Sequence, residues 1–470
     1  MSRLRIYIST FLLCLPFIFF AQNSDNYTLS DIEIVGNRWT RDYVILRELN
    51  FKIGDTGTAD FFQSIVEENL ERIKSLGMFN DVKLDFIPIN SKEYKCELVV
   101  IENWYIYPSV ILELSDRNFS DWWINHDHDL SRINYGGRLD HINLTGNRDK
   151  LIAQLQFGFR KKYELVYNLP YLTKDGKWGM ELSTFYATQD QIAYKTENNR
   201  TVFGDLGNKE TLLKRFRAGA AVFYRPTIYD HHAFRLEFHN NNVDPYVTND
   251  LNPDYFLNGE TGIKFFMFNY HYTYDKRISQ FYPIGGYLVF ADFKKEGLKI
   301  FDEYNNTALA IGGEYYKTLS PKWIFGTSFK AKMNLDRRTV SFANNTGLGW
   351  GDDSLIGYAV YVVDGTDYFY SKNNFRYKLI NYDWDMSSWM PLRQFKQMNI
   401  QVHNRLYFET AYVNDPTYRI DYNNTFNNRW LFSYGTAIDV IGFNNNMASF
   451  HFGLNHLFEF GYVFQYRTNF

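Results

Sequence analysis

The last stretch of the chain, Phe458–Phe470 (FEFGYVFQYRTNF), alternates from end to end. Phe458, Phe460, Tyr462, Phe464, Tyr466, Thr468 and Phe470 fall in one phase, and Glu459, Gly461, Val463, Gln465, Arg467 and Asn469 in the other. A strand sends successive side chains to opposite faces, so this segment has one aromatic face and one face of polar and small residues. A strand over a soluble core could alternate in the same way, but length and chain-end position point elsewhere. A strand that crosses a bilayer needs about 9–11 residues, apolar toward lipid and polar toward a lumen, with aromatics at the interfaces. This segment meets each condition.

Composition agrees. Aromatic residues make up 19% of the 470-residue chain while the mean hydropathy is -0.39. Long apolar helices would raise that average; a transmembrane barrel keeps it low, because half of each strand and all the loops are polar. A net charge of -3 gives no reason to expect nucleic acid as a partner.

Arg3 and Arg5, the apolar run Ile6–Phe20 and Ala21-Gln22 read as a signal peptide over residues 1–21, although Phe19 is large for the −3 position. The surroundings of Cys14 lack the small residues of a lipoprotein site. Cleavage leaves Cys96 as the single cysteine, so the mature chain forms no internal disulfide. No other segment approaches the apolar length of a membrane helix. The expectation is export without helical insertion.

Residues 27–102 read as a small α+β domain of order β-α-α-β-β. Ile32 and Ile34 lead into a turn at Gly36-Asn37. Thr40 is placed to cap a helix carrying Val44, Ile45, Leu46 and Leu49, and Asp60 to cap a second carrying Phe62, Ile65, Val66, Leu70, Ile73 and Leu76, closed by Gly77. Strands over Val82–Pro88 and Tyr94–Glu102 complete it.

The phrases IEIVGNRWTRDYVILRELNFKIGD and LGMFNDVKLDF resemble a POTRA domain of the outer-membrane insertase superfamily, of BamA and TamA type. Only one such domain fits ahead of the rest. The aromatic C-terminal residue likewise resembles the recognition signal of bacterial outer-membrane barrels.

From Asn103 the pattern changes to short alternating segments. Trp104, Ile106, Pro108, Val110, Leu112 and Leu114 share one face; Leu151, Ala153, Leu155, Phe157 and Phe159 share another; Met180, Leu182, Thr184 and Tyr186 continue the theme. About 370 residues divided among sixteen strands allots roughly 23 to each strand and its connection, although 14 or 18 strands fit the arithmetic as well. The resemblance favours sixteen. NLTGNRDKL, YELVYNLPYL, NNRWLFSYGTAIDVI and MASFHFGLNHLFEFGYVF resemble barrel hairpins of the same superfamily, particularly in Bacteroidota-like members. The expected fold is therefore a sixteen-stranded antiparallel transmembrane β-barrel over 103–470, preceded by one POTRA domain.

The stretch LIGYAVYVVDGTDYFYSKNNFRYKL (Leu355–Leu379) resembles the inward-folded sixth extracellular loop of that superfamily and the strand after it. The superfamily's Arg-Gly-aromatic motif is Ile356-Gly357-Tyr358 here, so the Arg that makes a salt bridge inside the barrel is replaced. Inward folding then rests on Tyr358 and on a turn at Asp364-Gly365.

His126-Asp127-His128-Asp129 reads as a polar loop rather than a metal site, and Trp122-Trp123 as membrane-interface residues. No nucleophile–base constellation, phosphate loop or HExxH is present. Neither enzyme activity nor a cofactor or metal is expected.

What the resemblance implies is an outer-membrane protein assembly factor. Clients would pair with the POTRA edge at Val82, Lys83, Leu84, Asp85 and Phe86. They would enter the membrane through a lateral gate between a first strand carrying Ile106, Val110 and Leu112 and a last strand carrying Phe458, Phe460, Gly461, Tyr462, Phe464, Tyr466 and Phe470. Ile356, Gly357, Tyr358, Asp364 and Gly365 form the inward loop. The expected partners are the outer-membrane bilayer, unfolded outer-membrane or secreted clients, and accessory lipoproteins. A two-partner-secretion pore, a diverged accessory barrel, and a passive porin or barrel enzyme are the alternatives.

Overall fold

A computed structural model describes residues 26–467 apart from 174, 208–209, 302–303, 338–339, 387, 389–396, 417–421 and 443–445. The signal-peptide segment and Phe470 lie outside the described residues. The chain divides into two compact units after Asn103.

In the first unit, β1 (Tyr27–Val35) pairs in parallel with β4 (Glu93–Glu102), and β4 pairs antiparallel with β3 (Phe79–Asn90). A two-residue strand β2 (Thr56–Gly57) extends the sheet beyond β1, giving the order β2-β1-β4-β3. This strand was not expected, because two residues are too few for any period to show. Helices α1 (Asp42–Leu46), α2 (Ala59–Ser64) and α3 (Val66–Lys74) supply Val44, Ile45, Phe62 and Ile73 to a core shared with Leu29, Leu84, Cys96 and Leu98.

The helix caps differ from the sequence reading. The N-cap position of α1 is Arg41, not Thr40, and Arg41 makes no side-chain capping bond; the Thr40 amide donates to Glu102 Oε1. The second expected helix is two, and its cap is Thr58, whose hydroxyl accepts from Phe61 N at 3.2 Å. At α2 the residue that takes the first-turn amide is Thr58, two positions before Asp60. Gly36 does close β1, at φ 98°, with Val100 O only 2.0 Å from where a Cβ would sit. Burial pushes the Cys96 thiol up to about 12, which leaves it protonated and inert at physiological pH.

The second unit is one antiparallel sheet of sixteen strands. It begins with β5 (Ile106–Leu114), β6 (Ile133–Ile142), β7 (Lys150–Gly158), β8 (Arg160–Leu169) and β9 (Trp178–Gln189). A separate hairpin, β10 (Ile192–Glu197) and β11 (Arg200–Gly204), follows outside the sheet. The meander resumes with β12 (Leu213–Tyr224), β13 (Asp230–Val243), β14 (Gly262–Asp275), β15 (Gly286–Glu296), β16 (Asn306–Ser320) and β17 (Trp323–Asn334). It ends with β18 (Asp367–Asp385), β19 (Gln397–Asn414), β20 (Trp430–Gly442), β21 (Asn446–Asn455) and β22 (Phe460–Arg467).

The period-2 pattern decides which face is which. Along β20, Trp430, Phe432 and Tyr434 are 53%, 42% and 40% exposed, whereas Leu431 and Ser433 between them are fully buried. A sheet with its large aromatics outside and its polar residues inside is built for lipid without and a polar lumen within. Ion pairs fill that lumen: Arg405 with Asp439, Arg277 with Asp275 and Glu314, and Arg132 with Asp116. No described helix is long and apolar enough to cross a membrane.

Candidate functional site

The two end strands of the sheet, β5 and β22, define the site. Among the described residues no ladder joins them. β5 is open along its length, with Val110 87%, Leu112 76% and Ile106 37% exposed. Pro108, which has no N–H to give, sits within it, a placement that edge strands tolerate. In β22 Phe460, Phe464 and Tyr466 are exposed and Val463 is buried, but Tyr462 is half-buried and Gln465 and Arg467 are exposed as well, so the alternation holds only over the first part of the strand. Phe458 precedes the strand, in the turn after β21, at φ 60°.

Something other than a strand closes the gap. Helix α4 (Phe119–Asn125) follows β5 and lies against β22, where Ser120 Oγ donates to the backbone carbonyl of Tyr462. Asn118 caps this helix by accepting from Asp121 N at 2.9 Å. The same cap residue donates through Nδ2 to Ala359 O at 2.7 Å. Arg117 Nη1 reaches Tyr361 O at 2.6 Å, and Asn125 Nδ2 reaches Val360 O at 2.8 Å. The segment after the first strand thus grips both the last strand and the loop of residues 335–366.

That loop lies within the sheet and is held residue by residue. Ile356 N donates to Glu409 Oε2 at 2.7 Å, and Gly357 N to Ser433 Oγ at 2.8 Å. Glu409 and Ser433 are buried on β19 and β20. A Cβ on Gly357 would sit 2.7 Å from Ser433 Oγ and 2.9 Å from Leu454 O, so only glycine fits between loop and wall. Tyr358 is 4% exposed and packs edge-on against Phe426 at 5.3 Å. Its hydroxyl accepts from Phe432 N at 3.3 Å, donates to Phe432 O at 3.2 Å and pairs with His456 Nδ1. Tyr361 OH donates to Glu459 Oε2 at 2.9 Å, just before β22. Gly461 faces this turn from the last strand, with Ile356 O 3.3 Å from its virtual Cβ.

The absent arginine is thereby explained in part. A buried carboxylate, Glu409, still stands beside position 356, but it is bonded to the Ile356 amide instead of a guanidinium. Asp353 supplies an ion pair elsewhere in the loop, receiving Lys330 Nζ at 2.7 Å and Tyr368 OH at 2.6 Å. Asp364 and Gly365 do not form the expected turn. The chain runs on from its bridge with Leu348, and Gly365 instead abuts Val413, whose Cγ1 lies 2.3 Å from a virtual Cβ.

Trp122 departs from the sequence reading. It is 8% exposed, with its indole N–H on Asp129 O at 2.8 Å, so it is internal to the α4 region and not an interface anchor. Trp123, 47% exposed, stacks on His128 at 4.8 Å. His126 Nε2 lies 3.4 Å from Asp116 Oδ1, and Asp116 and Asp121 are already engaged by Arg132 and Arg117.

In the first unit, β3 is an outer strand of its sheet, as the sequence reading requires. Val82 and Leu84 point into the core at 4% and 3% exposure, while Lys83 and Asp85 are exposed. The backbone edge, this second pair and the exposed Ile87 and Ile89 further along β3 can meet a partner, while Phe86 is half-buried.

Residues 27–101 match the family model for POTRA, the surface antigen variable number repeat. No curated protein matches the sequence. Among solved structures, the chain is similar to BamA from Haemophilus ducreyi lacking POTRA domains 1–3, with a TM-score of 0.60 at 14% identity over 94% of this chain and 84% of that one. It is also similar to CdiB from Escherichia coli, with a TM-score of 0.57 at 12% identity over 94% and 76%. With a POTRA domain followed by this sixteen-stranded sheet, the chain shares the fold of these two solved structures.

Proposed function

We propose that this protein resides in the bacterial outer membrane and assembles other proteins there. In this reading the POTRA domain, in the periplasm, receives unfolded clients along the edge of β3, and the barrel releases them into lipid between β5 and β22. The observation that carries it is the unladdered seam. Unpaired backbone groups in a bilayer cost several kcal/mol each, so two strand edges left apart favour any strand that can pair with them. Client folding and the burial of its apolar face supply the driving force; no nucleotide and no catalytic step are needed. The lumen holds the 335–366 loop, an arrangement that supports a sideways route over export through the pore.

Purified protein in proteoliposomes tests this. Vesicles carrying it are expected to fold an added urea-denatured outer-membrane barrel at least about tenfold faster than empty vesicles, a barrier difference of roughly 1.4 kcal/mol. Equal rates would refute the proposal.

A further inference from the structure

A cavity of about 310 Å³ lies in the lumen between β8, β9, β12 and the 335–366 loop. Its lining contains two arginines, Arg160 at the start of β8 and Arg215 near the start of β12, with Gln189 opposite Arg160 on the strand between them. Among the described residues neither guanidinium has a carboxylate within 4 Å. Arg215 Nη2 donates to Gln189 Oε1 at 3.1 Å, and the Nε atoms of both arginines are buried without a partner. Like charges left close together in a low-dielectric interior are costly unless something compensates them.

The rest of the lining points the same way. Ser115 Oγ, Thr201 Oγ1 and Trp350 Nε1 are also buried without partners, and each can donate a hydrogen bond. Of the three carboxylates that line the cavity, Asp116 and Asp121 are committed to other arginines. Asp116 is held by Arg132, Asp121 by Arg117, and Asp364 faces the like charge of Asp415. Glu113, on the exposed first strand, acts on Arg160 only from beyond ion-pair range. Water alone could satisfy the donors, but it would not neutralise two guanidiniums. The volume suits an oxyanion together with the group that carries it, at about 30 Å³ per displaced water.

We propose that this cavity is a binding site for a phosphate-type oxyanion, gripped by Arg160 and Arg215 and completed by the hydroxyl and indole donors around it. Guanidinium forks match the geometry of phosphate oxygens, and each such bond is charge-assisted. Two sources share this chemistry, a free phosphate and the headgroup of a phosphorylated lipid.

Equilibrium dialysis of the full chain in zwitterionic detergent against labelled inorganic phosphate tests it. About one phosphate should bind per chain, and binding should weaken at least about tenfold in Arg160→Gln/Arg215→Gln and by less in Arg160→Lys/Arg215→Lys, which keeps both charges but loses the forks. A second readout does not depend on the double variant folding well. Removing one of two repelling charges should let Arg160→Gln unfold at a higher temperature than the native protein without phosphate, and remove the rise in melting temperature that phosphate gives the native protein. Nanodiscs of phosphatidylcholine with and without phosphatidic acid separate the sources. Stabilisation by phosphatidic acid alone assigns a lipid headgroup, and its absence alongside phosphate binding assigns a soluble anion. No bound phosphate together with no stabilisation by phosphatidic acid, or equal binding by native and Gln-substituted protein, overturns the site.

Discussion

Tyr358→Ala is expected to release the 335–366 loop from the lumen, at a cost to loop docking of about 3–5 kcal/mol. The side chain is 4% exposed, packs against Phe426 and His456, and bonds both backbone groups of Phe432. Truncation leaves a cavity and strands those partners together. The strand ladders do not pass through Tyr358, so the barrel itself should persist. Limited proteolysis of the purified protein should cut within 335–366 in the variant and spare the native chain. Tyr358→Phe, which keeps the ring and loses the hydroxyl bonds, should cost only about 1 kcal/mol and remain resistant. Equal protease resistance in Tyr358→Ala would mean that the backbone bonds to Glu409 and Ser433 hold the loop unaided.

The second large effect concerns Asp116. Arg132 is 4% exposed, sandwiched between Phe159 and Phe203 at 4.5 and 4.3 Å, and its Nε lies 2.9 Å from Asp116 Oδ1. Removing the carboxylate abandons a buried guanidinium, a change that costs about 3–5 kcal/mol when a buried pair is broken from one side. Asp116→Ala should therefore unfold at lower urea than the native barrel, with α4 and the β5–β6 connection exchanging backbone amides first. Paired replacement of Asp116 and Arg132 by apolar residues should recover part of the loss, because the abandoned charge is the main cost. A loss below about 1 kcal/mol in Asp116→Ala would show that water reaches the guanidinium.

The strands were legible because a barrel wall repeats one simple rule. Each strand of the wall turns one face outward and one toward the enclosed polar side, so alternation in Leu151–Phe159 translates directly into β7 and that around Phe460–Phe464 into β22. The POTRA elements were legible through their apolar stripes, but the caps assigned to Thr40 and Asp60 fall at Arg41 and Thr58, since propensity cannot rank neighbouring polar residues. Helix α4 was missed, although Asn118 three residues before Asp121 is a capping signature that could have found it. Glu409, Ser433 and Ser120 were out of reach. Each is one polar residue among many, and its role comes from partners 53, 76 and 342 positions away.

The sequence reading also expected β5 and β22 to meet as strands. The seam is instead bridged by a helix and a loop turn, an outcome no single-strand pattern encodes. Three weak features share the closure: a serine hydroxyl on an edge carbonyl, a glycine-sized gap at Gly357, and side-chain amides on loop carbonyls. Each of the hydrogen bonds among them is individually about 1 kcal/mol.

Site-specific photo-crosslinking in living cells tests the lateral route most directly, with the probe at Tyr462 on the last strand and at Lys83 on the exposed side of β3. Lys83 is the better POTRA position because Leu84 beside it is buried. The account predicts adducts with nascent outer-membrane barrel proteins at both positions. Adducts at Tyr462 only with the protein's own first strand, and none at Lys83, would contradict it.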